Sequence, residues 1–227
     1  MVGEGADIID VGGESTRPDA VPIPVDEEIR RIIPFIESIS GRIGVPVSVD
    51  TGKHEVASRA LEAGACMLND ISGYKMQPSI LKLAAEKNVP IVLTSNQRGQ
   101  KVSAMVEAVI SQLKDLIDLA ARAGVKPENI IIDPGIGFGK TVEQNLEIVR
   151  RLDELKVLGR PVLLGTSRKS FIAAVAGASL EERVLGTAAS IAIGICRGAD
   201  MVRVHDVGQM KLICRMSDAI VGRTGPG

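Results

Sequence analysis

Short apolar runs alternate with longer amphipathic segments from one end of the chain to the other. The runs cover residues 6–11, 46–50, 66–70, 90–94, 129–133, 161–166 and 200–205. Runs this short, rich in Val and Ile and apolar at successive positions, predict strands buried on both faces of a parallel sheet. Between them the apolar positions recur at helical spacing, as Ile29, Ile32, Ile33 and Ile36 do. That spacing predicts helices near 25–40, 53–63, 78–87, 102–123, 142–158, 180–197 and 208–221. Gly-Ala or Gly-Val pairs at 5–6, 44–45, 64–65, 124–125 and 198–199 place a helix-ending glycine just before a strand.

The pattern is a regular β-α repeat without a low-complexity linker, so residues 1–227 read as one α/β domain. A closed (β/α)8 TIM barrel needs eight units and typically about 250 residues. Here there are seven units in 227 residues, and the opening Met1-Val2-Gly3-Glu4-Gly5-Ala6 resembles the tail of a helix already under way. The expectation is a TIM barrel missing its first β-α unit, with seven parallel strands and the helices outside. A misassigned start, a trimmed chain and a true deletion all fit that reading.

Composition sharpens the picture. Hydrophobic residues make up 45% of the chain, aromatics only 2%, and Trp is absent. Aliphatic side chains and Gly therefore do the packing, which suits helices laid closely on a parallel sheet. The formal net charge is −1, and no Lys/Arg run marks a nucleic-acid or membrane surface. No apolar run is long enough to span a membrane. Cys66, Cys196 and Cys214 are scattered without metal-type spacing and read as reduced core thiols of a cytoplasmic protein.

The candidate chemistry lies just past the strands. In 130–140, IIIDPGIGFGK, an apolar strand stops at Asp133; Pro134 bars further pairing, and three glycines allow a close-approaching backbone. A carboxylate is thus held at the carboxyl end of a buried strand, where parallel α/β proteins bind ligands. Asp-Pro-Gly is equally a plain turn with Asp133 capping it. The other ends carry Asp10, Thr16 and Arg17; Asp50; Asn69 and Asp70; Thr94 to Arg98; Ser167, Arg168 and Lys169; and Arg203, His205 and Asp206. Asp70 and Asp206 are expected to serve local capping or pairing. Seven polar ends on one rim exceed what capping requires.

The stretches IDVGGESTRP, SVDT, NDISG, DPGIGFGKT, GTSRKSFI and RVHDV resemble, in order and spacing, the motifs of the dihydropteroate synthase family. The resemblance implies a transferase of folate biosynthesis that joins a dihydropterin methyl diphosphate to 4-aminobenzoate and releases diphosphate. Asp133 would accept the pterin's paired donors, with Asn69 and Asp50 completing the rim. Lys169 would meet the ring carbonyl, and Arg168 would cover a ring face. Arg203 and His205 alternate on one strand and so point the same way. With Thr16 and Arg17 they would hold the diphosphate. Phe138, Gly165 and Ser167 fall within the matched motifs and join the substrate-binding set. Lys169, Asp50, Arg203 and His205 form the catalytic set. Mg2+ is implied for the leaving group, with no metal ligand in this chain. His54 reads as surface. A homodimer is expected, because Met210, Leu212, Ile213 and Met216 make the last helix apolar; packing on the barrel would explain the same pattern.

Two departures accompany the resemblance. The family's first-strand Asn-x-Thr-Pro-Asp-Ser-Phe motif is missing, and Thr94-Ser95-Asn96-Gln97-Arg98-Gly99 replaces a Met-His-Met-x-Gly type sequence. Two rivals therefore stay open: a methyltetrahydrofolate-binding methyltransferase, which has no use for Arg203 and His205, and a truncated, non-catalytic pterin-binding protein.

Overall fold

The computed structural model describes residues 1–15, 20–177, 179 and 181–223. Five strands, β1 (Ile9–Gly12), β2 (Val47–Asp50), β3 (Met67–Asp70), β4 (Ile91–Thr94) and β5 (Ile130–Asp133), form one parallel sheet in chain order. The register climbs along it. Asp50 pairs with Asn69, Asn69 with Val92, and Thr94 with Asp133. A separate two-stranded parallel sheet joins β6 (Leu163–Leu164) to β7 (Met201–Val202). One bridge, Ile132 to Val162, connects the two sheets.

The expected row of seven strands is therefore five plus two, and the predicted runs 161–166 and 200–205 shrink to two residues each. The ladder is short for identifiable reasons. Pro161 has no N–H to donate. The Val162 N–H donates to the Asp200 Oδ2 side chain, 2.9 Å away. After Leu164 the chain leaves the sheet toward Ser167.

Helices α1 (Val25–Ile39), α2 (His54–Glu62), α3 (Pro78–Lys87), α4 (Met105–Arg122), α5 (Val142–Arg150), α6 (Ser170–Ala176), α7 (Arg183–Cys196) and α8 (Val207–Ile220) fill the connections. The five predicted helix-ending glycines all adopt positive φ. The predicted helix 142–158 ends instead at Arg150, and Leu152–Leu158 is a 3-10 turn. Helix α6 is additional. Leu180, the expected start of the 180–197 helix, lies outside the described residues.

Alternation along each strand divides the apolar residues between two cores. Val49, Leu68, Leu93 and Ile132 face the helices and pack with Ile36, Val56, Ile80, Leu113 and Ile148. Their neighbours Met67, Val92, Ile131 and Leu163 form a smaller cluster with Ile8 and Met201. This second cluster plugs the concave face. The next residues upward on that face are the polar ones: Asp10, Asp50, Asn69, Thr94, Asp133 and Arg203.

The cysteines correct the expectation of core thiols. Cys66 and Cys196 are exposed and Cys214 half-buried, although all three are free. Cys66 directly precedes β3, and Cys196 ends α7. At these two positions the side chain faces solvent rather than either core.

Candidate active site

Parallel strands deliver their carboxyl ends to one rim. A cavity of about 1910 Å³ runs from that rim down the gap between β1 and β7, and its rim end is lined by Asp10, Asp50, Asn69, Phe138, Gly165, Ser167, Arg168, Lys169, Arg203 and His205. Every expected site residue within the described set lines it except Asp133, which is almost fully buried. Asp133 is nevertheless adjacent. A Cβ built on Gly165 would meet Asp133 Oδ2 at 4.0 Å and Arg203 Nε at 3.8 Å. Asp133 and Arg203 therefore flank Gly165 at ordinary contact distance. Thr16 and Arg17 lie outside the described residues. Nearby, Lys53 Nζ donates to Glu14 Oε2 at 2.5 Å and to buried Glu28 Oε2 at 2.6 Å. The loop after β1 is thereby fastened at Glu14.

An acid–cation junction spans the two sheets. Arg203 Nη1 donates to Asp10 Oδ2 at 3.0 Å and Asp50 Oδ2 at 2.9 Å. Asn69 Nδ2 donates to the same Asp10 oxygen at 3.0 Å. Burial and neighbouring Asp10 push the Asp50 carboxyl up to about 7, against the pull of Arg203. The Arg203 guanidinium is held well above its ordinary range by Asp50 and Asp10, although burial alone acts the other way. Its Nε and Nη2 donors bond no group among the described residues and remain for a ligand.

On the β5 side, Asp133 Oδ1 accepts the Gly135 N–H at 2.7 Å, so the carboxylate is fixed by its own loop. Gly135 has φ 69°, and a Cβ there would fall 1.8 Å from the Ser95 carbonyl oxygen. Only glycine lets the two loops touch. Lys169 Nζ donates to the Ile136 carbonyl. Burial pushes its ammonium down to about 8, while Asp133 resists that shift. Lys169 and Arg98 lie 4.9 and 4.8 Å from the Phe138 ring centroid, within cation–π range.

The β6 and β7 ends carry two further pairs. Ser167 Oγ lies 2.8 Å from His205 Nδ1 and accepts the His205 backbone N–H at 3.1 Å. Arg168 sits at φ 56° and grips Asp206 with Nε and Nη2. Its guanidinium is thereby engaged with Asp206 rather than lying free to cover a ring. Asp206 makes the local pair expected of it. Asp70 Oδ1 accepts the Ser72 N–H at 2.6 Å, likewise a local role. His54 is exposed.

Sequence reading missed Arg98 beside Phe138 and Lys140 behind the Asp133 loop. Lys140 directly follows the glycine-rich loop in the sequence, but nothing local signals that its ammonium is buried. Arg98 was noted only as a strand-end charge.

A family profile described as pterin binding enzyme matches residues 1–205. The chain is 50% identical over 224 residues to a dihydropteroate synthase of Clostridium beijerinckii, covering 98% of this chain and 83% of that one.

The chain belongs to the dihydropteroate synthase family.

Its fold agrees with solved members of this transferase family. It superposes with a TM-score of 0.93 and 44% identity on a dihydropteroate synthase from Clostridium difficile solved in the presence of pteroic acid, covering 96% of this chain and 84% of that one. A Xanthomonas albilineans dihydropteroate synthase with 4-aminobenzoic acid gives a TM-score of 0.92 at 40% identity, covering 99% and 82%. Among the described residues no helix is long and apolar enough to cross a membrane.

Proposed function

We propose that this chain binds the heterocycle on the carboxylates of the five-stranded sheet, with Lys169 at the ring carbonyl, and the diphosphate on Arg203 and His205 of the two-stranded sheet. The observation that carries this division is Arg203, which reaches across the cavity to Asp10 and Asp50 and keeps two guanidinium edges unused. The pterin's ring N–H and exocyclic amine face Asp133, with Asn69 and Asp50 at their sides. Asp133 Oδ1 already holds Gly135, so Oδ2 is the freer acceptor. Lys169 leaves the Ile136 carbonyl to meet the ring carbonyl. Arg203 and His205 hold the diphosphate.

The methylene–oxygen bond then breaks, with the electron pair leaving on diphosphate. The electron-poor pterin methylene forms a bond to the 4-aminobenzoate nitrogen, which loses a proton. No protein nucleophile takes part. Positioning and electrostatic stabilisation supply the rate. Magnesium suits the leaving group by its charge. However, among the described residues no three His, Cys, Asp or Glu side chains converge to hold a metal ion, and Asp10 and Asp50 already face Arg203. No step here runs through magnesium.

A strand inserted between β1 and β7 would complete the barrel. Among the described residues both of those strands have a free edge, and the cavity continues between them past Ile8, Met201 and Val204. For a homodimer the supporting surface is α7 with α8, where Leu185, Ile193, Leu212, Met216 and Ile220 are exposed. Met210 is buried and Ile213 packs against α7, so that half of the predicted face belongs to the fold. A cytoplasmic location fits three free thiols.

Diphosphate release from the dihydropterin ester, with and without 4-aminobenzoate, tests the reaction. Release that depends on 4-aminobenzoate and yields dihydropteroate is expected. Ester binding without release supports a non-catalytic pterin-binding protein instead.

A further inference from the structure

The loop from Gly135 to Gly139 carries Phe138 and follows Asp133, and two ammonium groups hold its carbonyls. Lys169 takes Ile136 O from the cavity side. Lys140 takes Gly135 O at 2.9 Å, Phe138 O at 3.3 Å and, across the gap to the β4 end, Ser95 O at 3.0 Å. The Lys140 bonds therefore tie two strand ends and the loop into one unit. Gly137 N–H is held separately by Asn145 Oδ1 at 2.7 Å.

The two lysines differ in what they can release. Lys169 lines the cavity, where a ligand can compete with the Ile136 carbonyl for its ammonium. Lys140 lies behind the loop and does not line the cavity. Its burial is costly. Desolvation pushes its ammonium down to about 7, with Lys169 and Arg98 pushing the same way and Asp133 opposing. A scaffold position of this kind is ordinarily better filled by an apolar side chain. Here the cation satisfies three carbonyls that meet behind Asp133 and Phe138.

We propose that Lys140 is a positioning residue for pterin binding: its ammonium fixes the Asp133–Phe138 loop against the β4 end while Lys169 exchanges the Ile136 carbonyl for the substrate. Resting on the reading of the cavity as a pterin site, the idea assigns Lys140 no contact with substrate. It acts through Asp133 and Phe138.

The chain has three phenylalanines, Phe35, Phe138 and Phe171, so 4-fluorophenylalanine labelling gives three fluorine signals. Lys140→Met is compared with the parent chain by fluorine NMR, by thermal melting, and by calorimetry with a pterin lacking the ester and with inorganic diphosphate. In the folded variant the Phe138 signal should move or broaden while Phe35 and Phe171 stay. Pterin affinity should fall about tenfold, as loss of a charged hydrogen-bonding support predicts, with diphosphate affinity within about twofold. An unmoved Phe138 signal with unchanged pterin affinity overturns the inference, and so do parallel losses for both ligands. Should Lys140→Met not fold, Lys140→Arg is read the same way. An arginine that moves the Phe138 signal and lowers pterin affinity supports the role; an unmoved signal, with affinity kept or lost, overturns it. A parent chain that binds no pterin refutes the site assignment instead, and the Phe138 signal still reports whether Lys140 holds the loop.

Discussion

The five-stranded and two-stranded sheets bring opposite charges to the same mouth. Asp10, Asp50, Asn69 and Asp133 stand on strands of the first. Ser167, Arg168, Lys169, Arg203 and His205 follow the strands of the second. The halves also differ in build. Strands β1 to β5 have four residues each, paired over nearly their whole length, whereas β6 and β7 have two each and join the rest by one bridge. Acceptors for a flat heterocycle need fixed positions, and the longer ladders supply them. Cations for a departing anion can sit on looser ends, where loops move with the ligand.

The largest effect should come from breaking the fixed half. Asp133→Asn replaces a carboxylate that can take two donors with an amide that cannot. With charged hydrogen bonds contributing about 1.5–3 kcal/mol each, pterin affinity should drop about 100-fold. Calorimetry showing an unchanged value would refute the assignment of Asp133. Next, Gly135→Ala puts a methyl against Ser95 O in a left-handed conformation. Its unfolding free energy, from denaturant titration, should fall by more than about 1 kcal/mol. A change near zero would mean that the β4 and β5 loops are not pressed together.

The two halves should also respond oppositely to pH. The Asp50 carboxyl is raised to about 7, so its stabilising contribution is full below its unfolded value and is lost as pH rises toward and through 7. Lys169 is lowered to about 8, so its contribution is present above its unfolded value near 10.5 and is lost as pH falls through 8. Melting curves of Asp50→Asn against the parent chain should therefore favour the variant increasingly from pH 5 to about 8. Those of Lys169→Met should favour the variant most near pH 7 and progressively less toward about pH 10. The same trend for both variants would dissolve the contrast. The smallest effect belongs to Phe138→Leu, which keeps bulk but removes the ring beside Arg98 and Lys169. A loss of about 1 kcal/mol, or roughly fivefold in pterin affinity, is expected by calorimetry.

Much of the fixed half was legible in the sequence. Largely apolar runs that stop at an acid placed Asp50, Asp70 and Asp133 at the last residues of β2, β3 and β5, because a strand buried on both faces favours apolar residues below the rim. Helix α3 was read to both its ends, with Pro78 at its start and Asn88 in the left-handed conformation beyond. The cationic half was legible as motifs but not as geometry. Nothing local in 161–166 tells how many residues will find a ladder partner, since Asp200 takes one donor from far along the chain. Arg168 and Asp206 are 38 positions apart, and Lys140 meets Ser95 across 45. Such pairings depend on the closed fold. Cys66 and Cys196 were misread because hydropathy ignores their places at element ends.

The division of labour between the sheets is open to one crossed experiment. Calorimetry of Asp133→Asn and Arg203→Ala is carried out with inorganic diphosphate and with a pterin lacking the ester. Asp133→Asn should lose pterin and keep diphosphate, while Arg203→Ala should lose diphosphate by more than about tenfold and keep pterin within about threefold. Equal losses of both ligands in both variants would contradict it and leave the mouth as a single undivided site.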